Sequence, residues 1–176
     1  DMAGAARHSA LAVFVTHCLG FPALTGWHSN SILIEDCCEA LGAQVGEQKV
    51  GTLGLMSNFS FYYAHHMSTI EGGMVCTNDE RCYEILRMLR SHGLVREMKN
   101  PAFRQAAADA SPDLDPQFIF AHPAYNMRPI EVQAVIGRSQ MKHVTYRNAK
   151  RTGHLVEFLR QLDPEKYRTA YRMEGS

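Results

Sequence analysis

Residues 59–75 read FSFYYAHHMSTIEGGMV. The aromatic-rich run around Ser60 predicts a strand over Asn58–Tyr63, because aromatic and β-branched residues fit a pleated, half-buried surface. Met74–Thr77 predicts a second strand. Between them a short loop carries His65 and His66 and closes on Glu71-Gly72-Gly73. Side chains alternate along an extended chain, so only one of the two histidines is expected to face a pocket, and the register favours His65. No third ligand stands at a recognisable spacing from the pair, so no metal site is expected. The alternative is a histidine packed structurally in the loop.

Outward from this stretch, short strands precede helices. Leu11–Val15 and Ile32–Ile34 predict buried strands, the second ending in Glu35-Asp36. Gly20–Asn30 is turn-like, Cys38–Ala43 opens a short helix, and Gly46–Gly54 holds turns. Thr77-Asn78-Asp79-Glu80 caps a helix with Cys82, Ile85, Leu86 and Leu89 on its apolar face, ending near Gly93. Residues 97–124 read as loop. Pro129 starts one long helix, with Ile130, Ala134, Met141 and Val144 at helical spacing and a second stretch through Leu155, Phe158, Leu159 and Leu162. The expected class is an α/β layered fold.

Eighteen basic residues balance eighteen acidic ones, which gives no long-range field for nucleic acid or a membrane surface. No apolar run approaches the ~20 residues that span a bilayer. Five cysteines without a CxxC pair fit free thiols in a reducing cytoplasm. A first residue of Asp1 and an end at Gly175-Ser176 lead us to expect a piece of something longer.

Asp36 ends an apolar strand, where a carboxylate can meet a protonated pyridine nitrogen. Alone it reads equally as a loop acid or helix cap. Glu39 alone reads as an exposed first helical turn, Ser60 as an ordinary strand serine, and Tyr125-Asn126-Met127-Arg128 as a capped loop. Together, IEDCCEALGA (34–43), FSF…EGG and Tyr125–Arg128 resemble blocks of the DegT/DnrJ/EryC1 sugar aminotransferase family over most of residues 11–165. That family has the type I fold of enzymes using pyridoxal 5′-phosphate (PLP), a three-layer α/β/α arrangement with a mostly parallel sheet. The resemblance implies that residues 1–128 are part of its large domain. Residues 129–176 would then be a connecting helix and the start of a truncated small domain.

The family pattern FSFxxxK…EGG carries a lysine bound to the cofactor as a Schiff base, and counting from Phe59 that position is His65. The closest resemblance is therefore to the family's dehydratase branch. It implies PLP or pyridoxamine 5′-phosphate held noncovalently, with Asp36 at the pyridine nitrogen, Glu39 against the ring and Ser60 on the phosphate. Asn126 would reach across a homodimer interface to the neighbouring subunit's phosphate. His65 would act as general base in removing the C3 hydroxyl of a nucleotide-linked 4-keto-6-deoxyhexose, with glutamate as amino donor. An imidazole suits this because its pKa of ~6.5 lets it serve both ways near neutrality. A cytoplasmic location follows from the same resemblance.

An iron–sulfur branch is similar but carries Cys-x57-Cys-x-Cys-x7-Cys. From Cys38 the partners fall on Arg96, Met98 and Ala106, and from Cys18 on Cys76, Asn78 and Leu86, so no cluster is expected. Two departures remain. The family's N-terminal phosphate-binding turn and most of its small domain are missing. The link from Pro22 to Ile32 is also short for a crossover helix, which needs ~10–12 residues. The rival expectations are an aminotransferase anchored through Lys49 and a catalytically inert piece of the fold.

Overall fold

The computed structural model describes residues 10–23 and 31–171. The chain packs as two compact units, one formed by residues up to Cys76 with those from Glu131 onward, the other by Thr77–Ile130.

The strands are β1 (Ala12–Thr16), β2 (Ile32–Asp36), β3 (Gln44–Val45), β4 (Gln48–Lys49), β5 (Met56–Ser60) and β6 (Gly73–Thr77), all in the first unit but for Thr77. The main sheet has the order β1-β2-β5-β6, and β1, β2 and β5 run parallel. The register sets Thr16, Asp36 and Asn58 in one row across the three parallel strands, near their carboxyl ends. Alternation along β2 buries Leu33 and Glu35 on one face. Val15 and Leu33 form a small core with Val13, Ala23, Val45 and Leu53, and a second core gathers Cys37, Ala40, Ala43 and Val50.

The helix expected over Cys38–Ala43 is instead two successive tight turns. The Ala40 and Ala43 amides donate to the Cys37 and Ala40 carbonyls, both at 3.0 Å, and Gly42 at φ +97° diverts the chain. The glycines of 46–54 do make turns, but a small antiparallel hairpin, β3–β4, forms among them, with Gly46 in its turn and Gly51 just after it. Between β1 and β2 the described part holds only a short 3-10 turn, Cys18–Gly20. The rest of the turn expected there, residues 24–30, lies outside the described residues.

In the second unit α1 (Glu80–Leu89) is capped as expected, with the Asp79 carboxylate accepting from the Cys82 amide at 2.7 Å. Its buried face differs from the expected one. Glu84 and Met88 are buried, while Ile85 is exposed. Glu84 turns inward because its carboxylate accepts from the Lys99 and Asn100 amides at 2.6 and 2.8 Å. Residues 97–124 are not all loop. A helix, α2 (Pro101–Asp109), forms there with Asn100 as its cap and proline in its first turn. Its alanine-rich middle is a good helix former.

The long helix from Pro129 is two helices of the first unit, α3 (Glu131–Met141) and α4 (Val144–Gln161). The His143 amide closes on the Gln140 carbonyl at 3.0 Å, the i→i+3 spacing of a tight turn, and the helix stops there. Of the expected apolar residues, Ile130, just before α3, and Met141, at its end, are exposed, whereas Gln133 of α3 donates to the Glu71 carbonyl at 2.7 Å. No helix among the described residues is long and apolar enough to cross a membrane.

Candidate active site

Three segments follow the carboxyl ends of the three parallel strands: Leu19–Phe21 after β1, Glu39–Ala43 after β2, and Ala64–His66 after β5. With Asn148, Arg151, Thr152 and Leu155 of α4 they enclose a cavity of about 410 Å³. Open parallel sheets bind ligands at this end, and the volume lies in the ~300–1,000 Å³ range of small-molecule sites. Of the residues singled out in the sequence, Glu39 and His65 line this cavity together.

His66 lines it as well, against the expectation that only one histidine would face a pocket. Strand alternation does not apply to them, because both residues sit in an irregular turn, not an extended strand. The His65 amide donates to the Tyr62 carbonyl at 3.1 Å, and the two rings meet edge-on at 6.2 Å. Desolvation, then the nearby Arg151 cation, holds His66 below the usual histidine value, and its Nδ1 is buried with no hydrogen-bond partner.

Asp36, the last residue of β2, lies outside the cavity lining, in the row with Thr16 and Asn58. Its Oδ1 accepts from the Asn58 amide group at 2.9 Å and the Cys38 backbone at 3.2 Å. Oδ2 receives a long contact from Thr16 at 3.4 Å. Burial alone would raise this carboxyl, but hydrogen bonds from Cys38, Asn58 and Thr16 outweigh it and hold it below the usual aspartate value. It is therefore an anion with accepting capacity left on one oxygen, which suits a protonated pyridine nitrogen. Ser60 ends β5, and its Oγ accepts from the Tyr62 amide at 3.3 Å, leaving its own proton to donate towards a phosphate. Ser60, like Asp36, lies outside the cavity lining; in the chemistry of their donor and acceptor groups the residues present fit PLP. Asn126 belongs to the other unit, where it bridges Ser91 and is exposed. Lys49 lies exposed on β4, and no lysine lines the cavity.

The loop that presents the histidines depends on its glycines. A Cβ at Gly72, where φ is +154°, would stand 2.5 Å from Thr69 Oγ1, and one at Gly73 3.2 Å from the Phe59 carbonyl. Thr69 Oγ1 donates to the Glu71 carbonyl at 2.8 Å, which closes the turn.

Sequence reasoning missed a buried cluster next to the site, His17, Glu35 and Cys37, whose donor atoms lie within 4.8 Å of one another. Glu35 Oε2 meets His17 Nε2 at 3.1 Å and the Gly51 amide at 2.8 Å, and Oε1 accepts from the Leu53 and Gly54 amides at 2.8 Å. Burial pushes Glu35 up, but His17 and these three amides prevail and leave it below the usual value. The Cys37 thiol is pushed up to about 12 by burial and the neighbouring carboxylates, so it stays protonated. With Glu35 held by His17 and three backbone amides and the thiol neutral, the cluster as it stands is part of the buried, hydrogen-bonded core. Its one signal in the sequence is the placement of Glu35 two residues after buried Leu33, on the same face of the strand.

The chain matches the DegT/DnrJ/EryC1/StrS aminotransferase family over residues 26–174. It is 41% identical over 111 residues to a GDP-4-keto-6-deoxy-D-mannose 3-dehydratase of Yersinia pseudotuberculosis, covering 62% of this chain and 28% of that protein. A solved GDP-4-keto-6-deoxymannose-3-dehydratase with a trapped PLP-glutamate geminal diamine superposes with a TM-score of 0.72 at 28% identity, over 93% of this chain and 45% of that one. The E. coli GDP-4-keto-6-deoxy-D-mannose-3-dehydratase with bound hydrated PLP gives 0.65 at 30% identity, over 92% and 41%. The chain thus spans less than half the length of these relatives. The parallel strand order, the histidine loop and this likeness carry one conclusion: the chain has the α/β fold of the PLP-dependent sugar aminotransferases and belongs to the DegT/DnrJ/EryC1/StrS family.

Proposed function

We propose that this chain is the cofactor-holding part of a PLP-dependent lyase. Its reaction would remove the C3 hydroxyl of a nucleotide-linked 4-keto-6-deoxyhexose, with glutamate as amino donor. The observation that carries the reading is His65, an imidazole at the family's lysine position, lining the cavity beside Glu39 where no lysine is present. When bound, PLP or pyridoxamine phosphate would supply an electron sink conjugated to the sugar's C4. Asp36 would hold the pyridine nitrogen protonated, Ser60 would donate to the phosphate, and Glu39 would lie against the ring. His65 would take a proton at the cofactor's C4′ carbon and return it to the departing C3 oxygen. Without an amine at that position, nothing in the cavity competes for the aldehyde, and the cofactor is held noncovalently. The relatives bound to hydrated PLP and to a PLP-glutamate adduct support this reading, as does the dehydratase relative from Yersinia.

The same reading carries a cytoplasmic homodimer in which Asn126 serves the neighbouring subunit's cofactor. The rival aminotransferase reading would need Lys49, whose exposed position on β4 outside the cavity lining weighs against it. A titration of the chain with pyridoxamine 5′-phosphate, followed by absorbance, tests the proposal. Saturable binding retained in His65→Asn, with ammonia release from the keto-sugar lost, is the expected result. Absence of saturable binding would favour the inert reading. A borohydride-trapped lysine would favour the aminotransferase.

A further inference from the structure

His17 and Glu35 are both fully buried, and the ring contacts of His17 define its protonation. The Ala23 amide donates to His17 Nδ1 at 3.1 Å, so Nδ1 carries no proton. The proton is therefore on Nε2, donated to Glu35 Oε2 at 3.1 Å. Between His17 and Ala23 the chain doubles back through a 3-10 turn, closed by the Phe21 amide on the Cys18 carbonyl at 3.0 Å. This small loop supplies Leu19, Gly20 and Phe21 to the cavity wall. Leu19 takes φ +54°, a left-handed conformation costly for a residue with a Cβ, yet its side chain is 76% exposed and gains little by packing. Such a residue persists only where its surroundings over-determine it. Here the Leu19 amide donates to Glu39 Oε2 at 2.6 Å, and the imidazole ties down the loop's far end at Ala23.

We propose that His17 is a positioning residue for the cavity: anchored on Glu35, its imidazole closes residues 18–22 into a strained loop whose Leu19 amide orients Glu39 beside His65. Three links connect it to the site, namely Glu35 to His17, His17 to Ala23, and Leu19 to Glu39. The significance of Glu39 for cofactor binding rests on the functional reading above, but the latch itself does not.

Two conservative variants separate the two ends of the ring. In His17→Gln the amide reaches the Nε2 position and can still donate to Glu35, but nothing accepts from Ala23. In His17→Asn the side-chain oxygen stands at the Nδ1 position and can still accept from Ala23, but Glu35 loses its donor. Amide exchange of the nitrogen-labelled chain, read by NMR, should show Ala23 and Leu19 exchanging about tenfold faster in His17→Gln than in the parent. In His17→Asn they should stay near the parent rate, with a lower thermal midpoint. Pyridoxamine phosphate should bind about tenfold more weakly to His17→Gln than to His17→Asn. Unchanged Ala23 exchange in His17→Gln overturns the latch. If neither variant folds, the nitrogen shifts of His17 in the parent decide, since an Nδ1-protonated ring is incompatible with it. A parent chain that fails to bind pyridoxamine phosphate overturns the functional reading only, because the exchange and tautomer measurements need no ligand.

Discussion

Asp36 and Asn58 stand opposite each other on neighbouring parallel strands, and the Asn58 amide donates to Asp36 Oδ1 at 2.9 Å. Asn58 thereby holds one oxygen of the carboxylate, while the other takes a long contact from Thr16 at 3.4 Å. Replacing Asn58 by Ala removes a hydrogen bond that holds Asp36 down, so Asp36 should titrate higher. Binding of pyridoxamine phosphate needs the anion on our reading, and its loss on acidification should begin at a higher pH in Asn58→Ala. Titrations across a pH series measure this, and superimposable profiles would contradict it.

Installing a lysine where the imidazole stands tests the geometry of the cavity directly. His65→Lys should bring an amine beside Glu39 and yield a borohydride-trapped PLP adduct at position 65, detected by peptide mass mapping. The parent chain should give none. An adduct at Lys49 in either protein would speak for the rival enzyme.

Glu35 predicts a large stability effect. Truncation to Ala leaves the His17 donor and the amides of Gly51, Leu53 and Gly54 without their acceptor. Glu35→Ala should cost about 3 kcal/mol or more in urea unfolding. Because its folded pKa is below the unfolded one, the contribution of Glu35 is complete above the ordinary glutamate range. It should be lost as pH falls through the lowered folded value.

His66 predicts a second pH effect, at a different range. Its folded pKa is depressed, so the unfolded chain takes up its proton first as pH drops below ~6.5. The parent's thermal midpoint should therefore fall between about pH 6.5 and the lowered folded value. His66→Gln should flatten that part of the curve relative to the parent. Parallel curves for the two proteins would show that burial does not hold this ring neutral.

Gly72→Ala should destabilise the loop by about 2 kcal/mol, because a Cβ there meets Thr69 Oγ1 and the backbone is left-handed. Thr69→Ser/Gly72→Ala would not recover it, since the offending oxygen remains. Thermal unfolding of the three proteins measures this.

Local chemistry was legible wherever it is decided within a few residues. The sequence by itself determined the short parallel strands, the Asp79 cap, the glycine-closed histidine loop and an imidazole where the family keeps an amine. The strands, the cap and the loop follow from alternation, capping and turn geometry, which act over neighbouring positions, while the imidazole at the amine's position follows from the family resemblance. What only the tertiary structure decided lies between distant segments. Two adjacent histidines share one cavity because their loop is a turn, and α4 brings Asn148 and Arg151 to that cavity from more than 80 residues away in sequence. Glu84 and Glu35 face inward because backbone amides from remote segments are there to receive them. A carboxylate in a sequence reads as surface, and it becomes core only when the fold delivers enough donors to replace water.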